Sequence, residues 1–199
     1  VATSSQQRPA RAKILDAASA LFTTTGYAAT TIKQIAARAC VSSQSVYFVF
    51  GNKRSVLSSL LDASVAGDDE PVATLQREWV ADAIAAPDPS EQLRIQIHHA
   101  RLILDRVADT LLAVRAAAAA DAEVAELWRT NLDQRRTVQQ HLMEALAGKA
   151  DGVDTAAAVD VALALLSPET YTQLVRDGDW SPERYEQWVH DTVAAAAGI

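Results

Sequence analysis

Residues 27–57 read YAATTIKQIAARACVSSQSVYFVFGNKRSVL, and the fold follows from this stretch. Thr31 stands where it can cap a short helix whose apolar residues Ile32, Ile35 and Ala36 fall at helical spacing. Ala39-Cys40-Val41 breaks that helix, and Ser42 can cap a second one running to about Val49. Gly51-Asn52 makes the next turn, with Asn52 placed to cap a helix through Val56, Leu57, Leu60 and Leu61. Two short helices joined by a turn of three or four residues form a helix-turn-helix. The first helix braces against the DNA backbone, and the second offers its exposed side chains to the major groove. Residues 31–38 and 42–49 suit those roles. The second helix exposes Ser43, Gln44, Ser45, Tyr47 and Phe48, groups suited to phosphate oxygens, base edges and a thymine methyl. Lys53 adds a cation at a helix start, where phosphate is favoured.

The surrounding chain reads as helix almost throughout, and runs of strand-like alternation are missing. Residues 11–24 align Ile14, Leu15, Ala18, Leu21 and Phe22 on one face, with Gly26 at the helix end. Gly67-Asp68-Asp69-Glu70-Pro71 reads as a turn leading into an acidic helix start. A helix through Leu75 and Trp79 should stop before Pro87. Further helices are expected from Asp88 to about Val107, over roughly 109–119, and over roughly 121–147 ending at Gly148. Residues 153–166 are apolar nearly all round, which implies burial on more than one side. Ser167-Pro168-Glu169 and Ser181-Pro182-Glu183 are twin helix starts, each with a cap, a proline at the first position and an acid behind it. The fold class is all-α.

The chain has 199 residues and a net charge of −7, which by itself argues against a nucleic-acid partner. The distribution reverses that. Residues 1–57 carry seven basic side chains against Asp16 alone, a net of +6; the remainder holds 11 basic and 24 acidic side chains, a net of −13. A basic head beside an acidic body suggests two jobs in one chain. No apolar run is long enough to span a membrane, so no membrane partner is expected. The single cysteine excludes an internal disulfide and fits a cytoplasmic protein.

The series Ile14-Leu15, Ala17-Ala18, Leu21-Phe22, Gly26-Tyr27, Thr30-Thr31-Ile32, Ile35-Ala36, Val41-Ser42, Tyr47 and Phe50-Gly51-Asn52-Lys53 resembles the N-terminal signature of the TetR family of transcriptional regulators. It covers about a quarter of the chain. The two Ser-Pro-Glu segments, with Tyr171, Trp180, Tyr185 and Trp188 around them, resemble one group within that family. The resemblance implies a homodimer that reads a palindromic operator in double-stranded DNA. It also implies a C-terminal domain that holds a small effector and dimerises through its last two long helices. The expected domains are a DNA-binding domain, residues 1–54, and an effector-binding and dimerisation domain, residues 55–199. Carried over by position, Thr31, Ser42, Tyr47 and Lys53 contact phosphate, while Lys33, Ser43, Gln44, Ser45 and Phe48 face the groove. Two departures stand out. Cys40 fills a turn position usually held by glycine, where a side chain is strained. Val49 stands where the family often has histidine.

Effector candidates are polar residues on otherwise apolar faces. Asn131 and Arg135 interrupt the stripe Val124, Trp128, Val138, Leu142; they suit a ligand oxygen or carboxylate, although a buried pair with Asp105 or Asp160 is the plainer reading. Asp160 itself, charged inside an apolar helix, is a candidate for fixing dimer register. His98 shares a stripe with Arg94, Arg101 and Asp105, which reads as a solvated polar face. His99 lies nearer the core. Trp79, Trp128 and Tyr171 could stack on an aromatic effector but equally serve as core, and Trp180, Tyr185 and Trp188 read as packing for the C-terminal helices. No phosphate loop, zinc-protease motif or nucleophile elbow occurs, so no catalytic residue, metal site or cofactor is expected. The competing functions are a helical interaction protein with a degenerate DNA-binding head and a TetR-like regulator without an effector.

Overall fold

The first helix, α1 (Ser4–Thr24), ends at a turn in which Gly26 takes φ +86°, a conformation that suits glycine. Helices α2 (Ile32–Arg38), α3 (Ser43–Phe50) and α4 (Lys53–Ala66) follow at the expected breaks. The computed structural model describes residues 4–67 and 73–199. The acidic helix start expected at Gly67–Pro71 therefore lies, beyond Gly67, outside the described residues. Next come a 3-10 turn, Thr74–Gln76, then α5 (Glu78–Ala85), α6 (Pro89–Ala118), α7 (Ala122–Ala147), α8 (Thr155–Leu165), α9 (Pro168–Tyr171), a π-helical turn, Thr172–Arg176, and α10 (Pro182–Ala197). The described residues are all-helical, as the sequence indicated.

Side chains cap several helix starts, including Asp154, which sequence reading did not single out. Glu91 N–H donates to Asp88 Oδ1 at 2.9 Å, and Ala157 N–H donates to Asp154 Oδ1 at 3.0 Å. Both Ser-Pro-Glu segments open helices with the serine as cap. Two expectations need correction. The two helices expected over 89–107 and 109–119 are one helix of 30 residues, because Val107-Ala108-Asp109 holds no glycine or proline to end it. The single helix expected through Leu75 and Trp79 is split, because Arg77 is extended between the 3-10 turn and α5.

The chain packs as two compact units. One comprises the chain up to Ser64 together with Asp109–Arg129; the other comprises Val65–Ala108 and Thr130–Ile199. In the first unit Ile14, Phe22, Ile35, Val46, Val56 and Leu57 form a common core, joined by Val114 and Val124. In the second unit α8 packs on α10, and Leu93, Met143, Ala162, Tyr171, Tyr185 and Val189 fill the main core. Gly178 closes the π-helical turn because any side chain there would meet Leu174 O, 2.6 Å from the Cβ position.

The stripe read as a solvated polar face is exposed at Arg94, His98 and Asp105 but enclosed at Arg101. Arg101 Nε–H donates to Glu186 Oε1 at 2.7 Å, and their side chains are 13% and 22% exposed. A pair so enclosed needs both partners to offset its desolvation. His98 Nδ1 shares the same carboxylate at 3.0 Å. Nearby, the Tyr171 hydroxyl donates to Asp105 Oδ1, and its ring meets Tyr185 edge-on at 5.2 Å.

Burial, then the Asp105 carboxylate, pushes the Tyr171 phenol up from 10.0 to about 12. The fold thus favours neutral Tyr171, and this stabilisation is complete below pH 10 and lost as pH rises through about 12. The urea midpoint should fall across that window, and less steeply in Tyr171→Phe, with phenolate absorbance reporting the titration.

Candidate nucleic-acid interface

The helix-turn-helix is built by two capped short helices and a strained turn. Thr31 and Gln34 cap α2 reciprocally: Gln34 N–H donates to Thr31 Oγ1 at 3.2 Å, and Thr31 N–H donates to Gln34 Oε1 at 2.8 Å. Ser42 caps α3 by accepting from Ser45 N–H at 3.0 Å. Between them Cys40 takes φ +56°, the only non-glycine with positive φ among the described residues. The strain anticipated from sequence is present, and the turn keeps its shape around it.

Only Val46 and Phe50 of α3 are buried. The opposite face is open: Tyr47 is 54% exposed and Phe48 77%. Large exposed aromatics on a short helix are a costly use of surface in a free monomer and suit a face that meets a partner. Gln44 is exposed beside them, while Ser43 and Ser45 are partly buried, Ser45 exchanging a hydrogen bond with the Ser42 hydroxyl at 2.8 Å. Lys33 stands exposed on α2, as do Lys13 on α1 and Arg38 at the end of α2. Val49 is partly buried against the core, so its position serves packing here.

Lys53 has a different setting from the other cations. Its ammonium donates to Tyr27 O at 2.8 Å and Thr30 O at 2.9 Å, and lies 4.1 Å from the centroid of the Tyr27 ring. Partial burial pulls its pKa below the usual lysine value. Lys53 thereby ties the start of α4 to the turn between α1 and α2. Its contacts explain why lysine stands there without any appeal to DNA. Sequence reading missed this role, since residues 27 and 53 meet only through the fold.

Residues 14–60 match the family model described as "Bacterial regulatory proteins, tetR family". This segment, which holds the helix-turn-helix, is thus similar to the tetR family. Solved structures with the same fold include a protein from Pseudomonas aeruginosa PAO1 assigned as a transcriptional regulator, with TM-score 0.74, 18% identity, and coverage of 98% of this chain and 93% of that one. They include the TetR-family regulator PfmR from Thermus thermophilus, at TM-score 0.67, 23% identity, and coverage of 90% and 96%. They also include the regulator FadR from Bacillus subtilis in complex with stearoyl-CoA, at TM-score 0.72, 19% identity, and coverage of 92% and 97%. At these identities the likeness is one of fold. Comparison with curated proteins finds no match. Among the described residues no helix is long and apolar enough to cross a membrane.

The five effector candidates each have their own surroundings. Trp128 packs against the core of the first unit. The other four belong to the second unit. His99 stacks on Trp79 at 5.0 Å with ring planes 8° apart, and burial holds its pKa below the usual value. Tyr171 is bound to Asp105. Asn131 is 6% exposed and its Oδ1 has no partner in the protein. Among the described residues Arg135 forms no ion pair with Asp105 or Asp160, and Glu169 is the acid that acts on it. Arg135 donates to Leu166 O at 2.9 Å and Leu163 O at 3.4 Å, carbonyls at the C-terminus of α8, where a cation is favoured. Asp160 instead pairs at 3.1 Å with Arg136, both well exposed.

The positive φ of Cys40 yields the prediction for this site. Cys40→Gly should stabilise the protein by about 0.5–1 kcal/mol, the difference between the strain removed and the added chain entropy. A higher urea midpoint with an unchanged slope would show it.

Proposed function

We propose that this chain is a tetR-family regulator, a cytoplasmic homodimer that binds a palindromic operator and represses transcription until a small-molecule effector releases it. The observation that carries the reading is the open, aromatic-bearing face of α3 beside exposed lysines and arginines, set in a segment of net charge +6. Thr31, Lys33, Ser42, Ser43, Gln44, Ser45, Tyr47 and Phe48 form the proposed DNA contacts, with Lys53 acting mainly by holding the motif together. Two copies whose α3 helices stand about 34–36 Å apart reach successive major grooves. Effector binding releases DNA only if the effector prefers a different arrangement of the two copies. The B. subtilis neighbour, bound to stearoyl-CoA, shows that this fold can hold a ligand.

Support for the dimer comes from α8. Its residues are apolar except Thr155 and Asp160, yet the single chain fully buries only Ala158, Val159 and Ala162 and leaves Ala156 and Ala164 exposed. A second copy seated on this face would supply the burial on more than one side that its composition implies. Ala164→Glu should therefore shift the protein from dimer to monomer in sedimentation at micromolar concentration. A dimer insensitive to that change would place the interface elsewhere.

Selection from sheared genomic DNA tests the operator: retained fragments should share a palindrome, and a uniform profile would sink the reading. On that operator Lys33→Ala should lower the slope of log affinity against log salt by about 1. Lys53→Met should instead destabilise the fold by about 1–3 kcal/mol through its lost carbonyl contacts.

A further inference from the structure

Every buried side-chain atom without a hydrogen-bond partner, among the described residues, lies in the second unit. The best-defined group faces inward from α6 and α7. Gln92 and Gln96, one turn apart on α6, are 0% and 2% exposed. Gln92 Nε2 donates to Leu142 O at 2.7 Å and reaches Gln96 Oε1 at 3.5 Å. These contacts fix both amides. Turning Gln92 over would set its oxygen against the Leu142 carbonyl, and turning Gln96 over would set two amide nitrogens together. The unmet atoms are therefore of known kind: an acceptor, Gln92 Oε1, and a donor, Gln96 Nε2. Gln139 Oε1, one turn before Leu142 on α7, is a third unmet atom.

Native cores seldom leave such groups unpaired, because each has lost its hydrogen bonds to water without replacement. The setting is apolar: Leu142 packs with Val80 and Ala83 of α5, and Trp79 joins the same cluster. Among the described residues no charged side chain hydrogen-bonds to any of the three amides. Apolar surroundings with a few placed polar groups are what a small-ligand site presents. Its partner must present a donor to Gln92 and an acceptor to Gln96. A carboxamide carries both on adjacent atoms. A carboxylate has no donor, and its charge would be stripped of water among neutral groups.

We propose that the effector of this chain is an uncharged molecule bearing a carboxamide, or an equivalent adjacent donor and acceptor, held by Gln92 and Gln96 of α6 beside α7. The proposal rests on the effector-released reading given above and assigns the chemistry of its ligand.

Two measurements on the full-length protein test it. The first needs no ligand. Gln96→Leu replaces an unpaired amide by an apolar group of similar size, so the melting temperature should rise by about 2–4 °C. A fall would show that the amide is a structural part of the core and would overturn the proposal. The second uses benzamide and salicylamide against benzoate and salicylate, each at millimolar concentration. The amides should raise the melting temperature of the wild type, the acids should not, and Gln92→Leu should abolish the response. Equal shifts with the acids, or none with the amides, overturns the assignment. Operator binding measured on the same samples separates the two readings. Amide binding that leaves operator affinity unchanged supports the site and removes the release mechanism. Operator binding relieved by a ligand that Gln92→Leu still accepts keeps the mechanism and removes this site.

Discussion

The recognition helix is held in place by two buried side chains. An eight-residue helix is not stable alone in water. α3 exists because Val46, wholly buried, and Phe50 insert into the core made by α1, α2 and α4. That economy is what leaves the remaining face, with Tyr47 and Phe48, open. It also makes the helix depend on every device that fixes its entry and exit: the Ser42 cap, the left-handed turn at Cys40, and the lysine that ties α4 back to the Tyr27–Thr30 turn.

The two units solve the problem of buried polarity differently. In the first, each buried polar side-chain atom described has a partner; Thr30, 1% exposed, gives its hydroxyl to Gly26 O at 2.8 Å. Full pairing makes a rigid unit, which suits a surface that must match a fixed groove geometry. In the second, amides remain unpaired within an apolar core, and a stretch of π-helix interrupts the chain between α9 and Gly178. Such features cost stability in the ligand-free chain and are offset when a partner supplies the missing bonds.

Much of the first unit was legible in the sequence, because its signals are local. Caps, breaks and the spacing of Ile32, Ile35 and Ala36 specify α2 and α3 within a window of a few residues. In the second unit the local signals located helix starts well and helix ends less well. The continuity of α6 through Val107 and Ala108 depends on the lack of a breaker, a weaker signal than its presence. The burial of Arg101 with Glu186 was invisible, since the partners are 85 positions apart and each alone looks like solvated surface. Gln92 and Gln96 were passed over for the same reason. They flank the apolar stripe of α6, and only the approach of Leu142 from α7 shows that water is excluded from them.

The sequence by itself determined an all-helical chain, the helix-turn-helix with its caps, the strained turn at Cys40 and the division of charge between head and body. These are properties of neighbouring residues and of composition, so they survive without knowledge of what packs on what. The tertiary structure alone decided that Lys53 binds carbonyls, that Arg135 caps α8 with Glu169 as its nearby acid, and which polar side chains are enclosed without partners. Each of these depends on burial and on contacts between distant segments. A side chain's chemistry fixes what it can bond to, but the fold fixes whether water remains within reach.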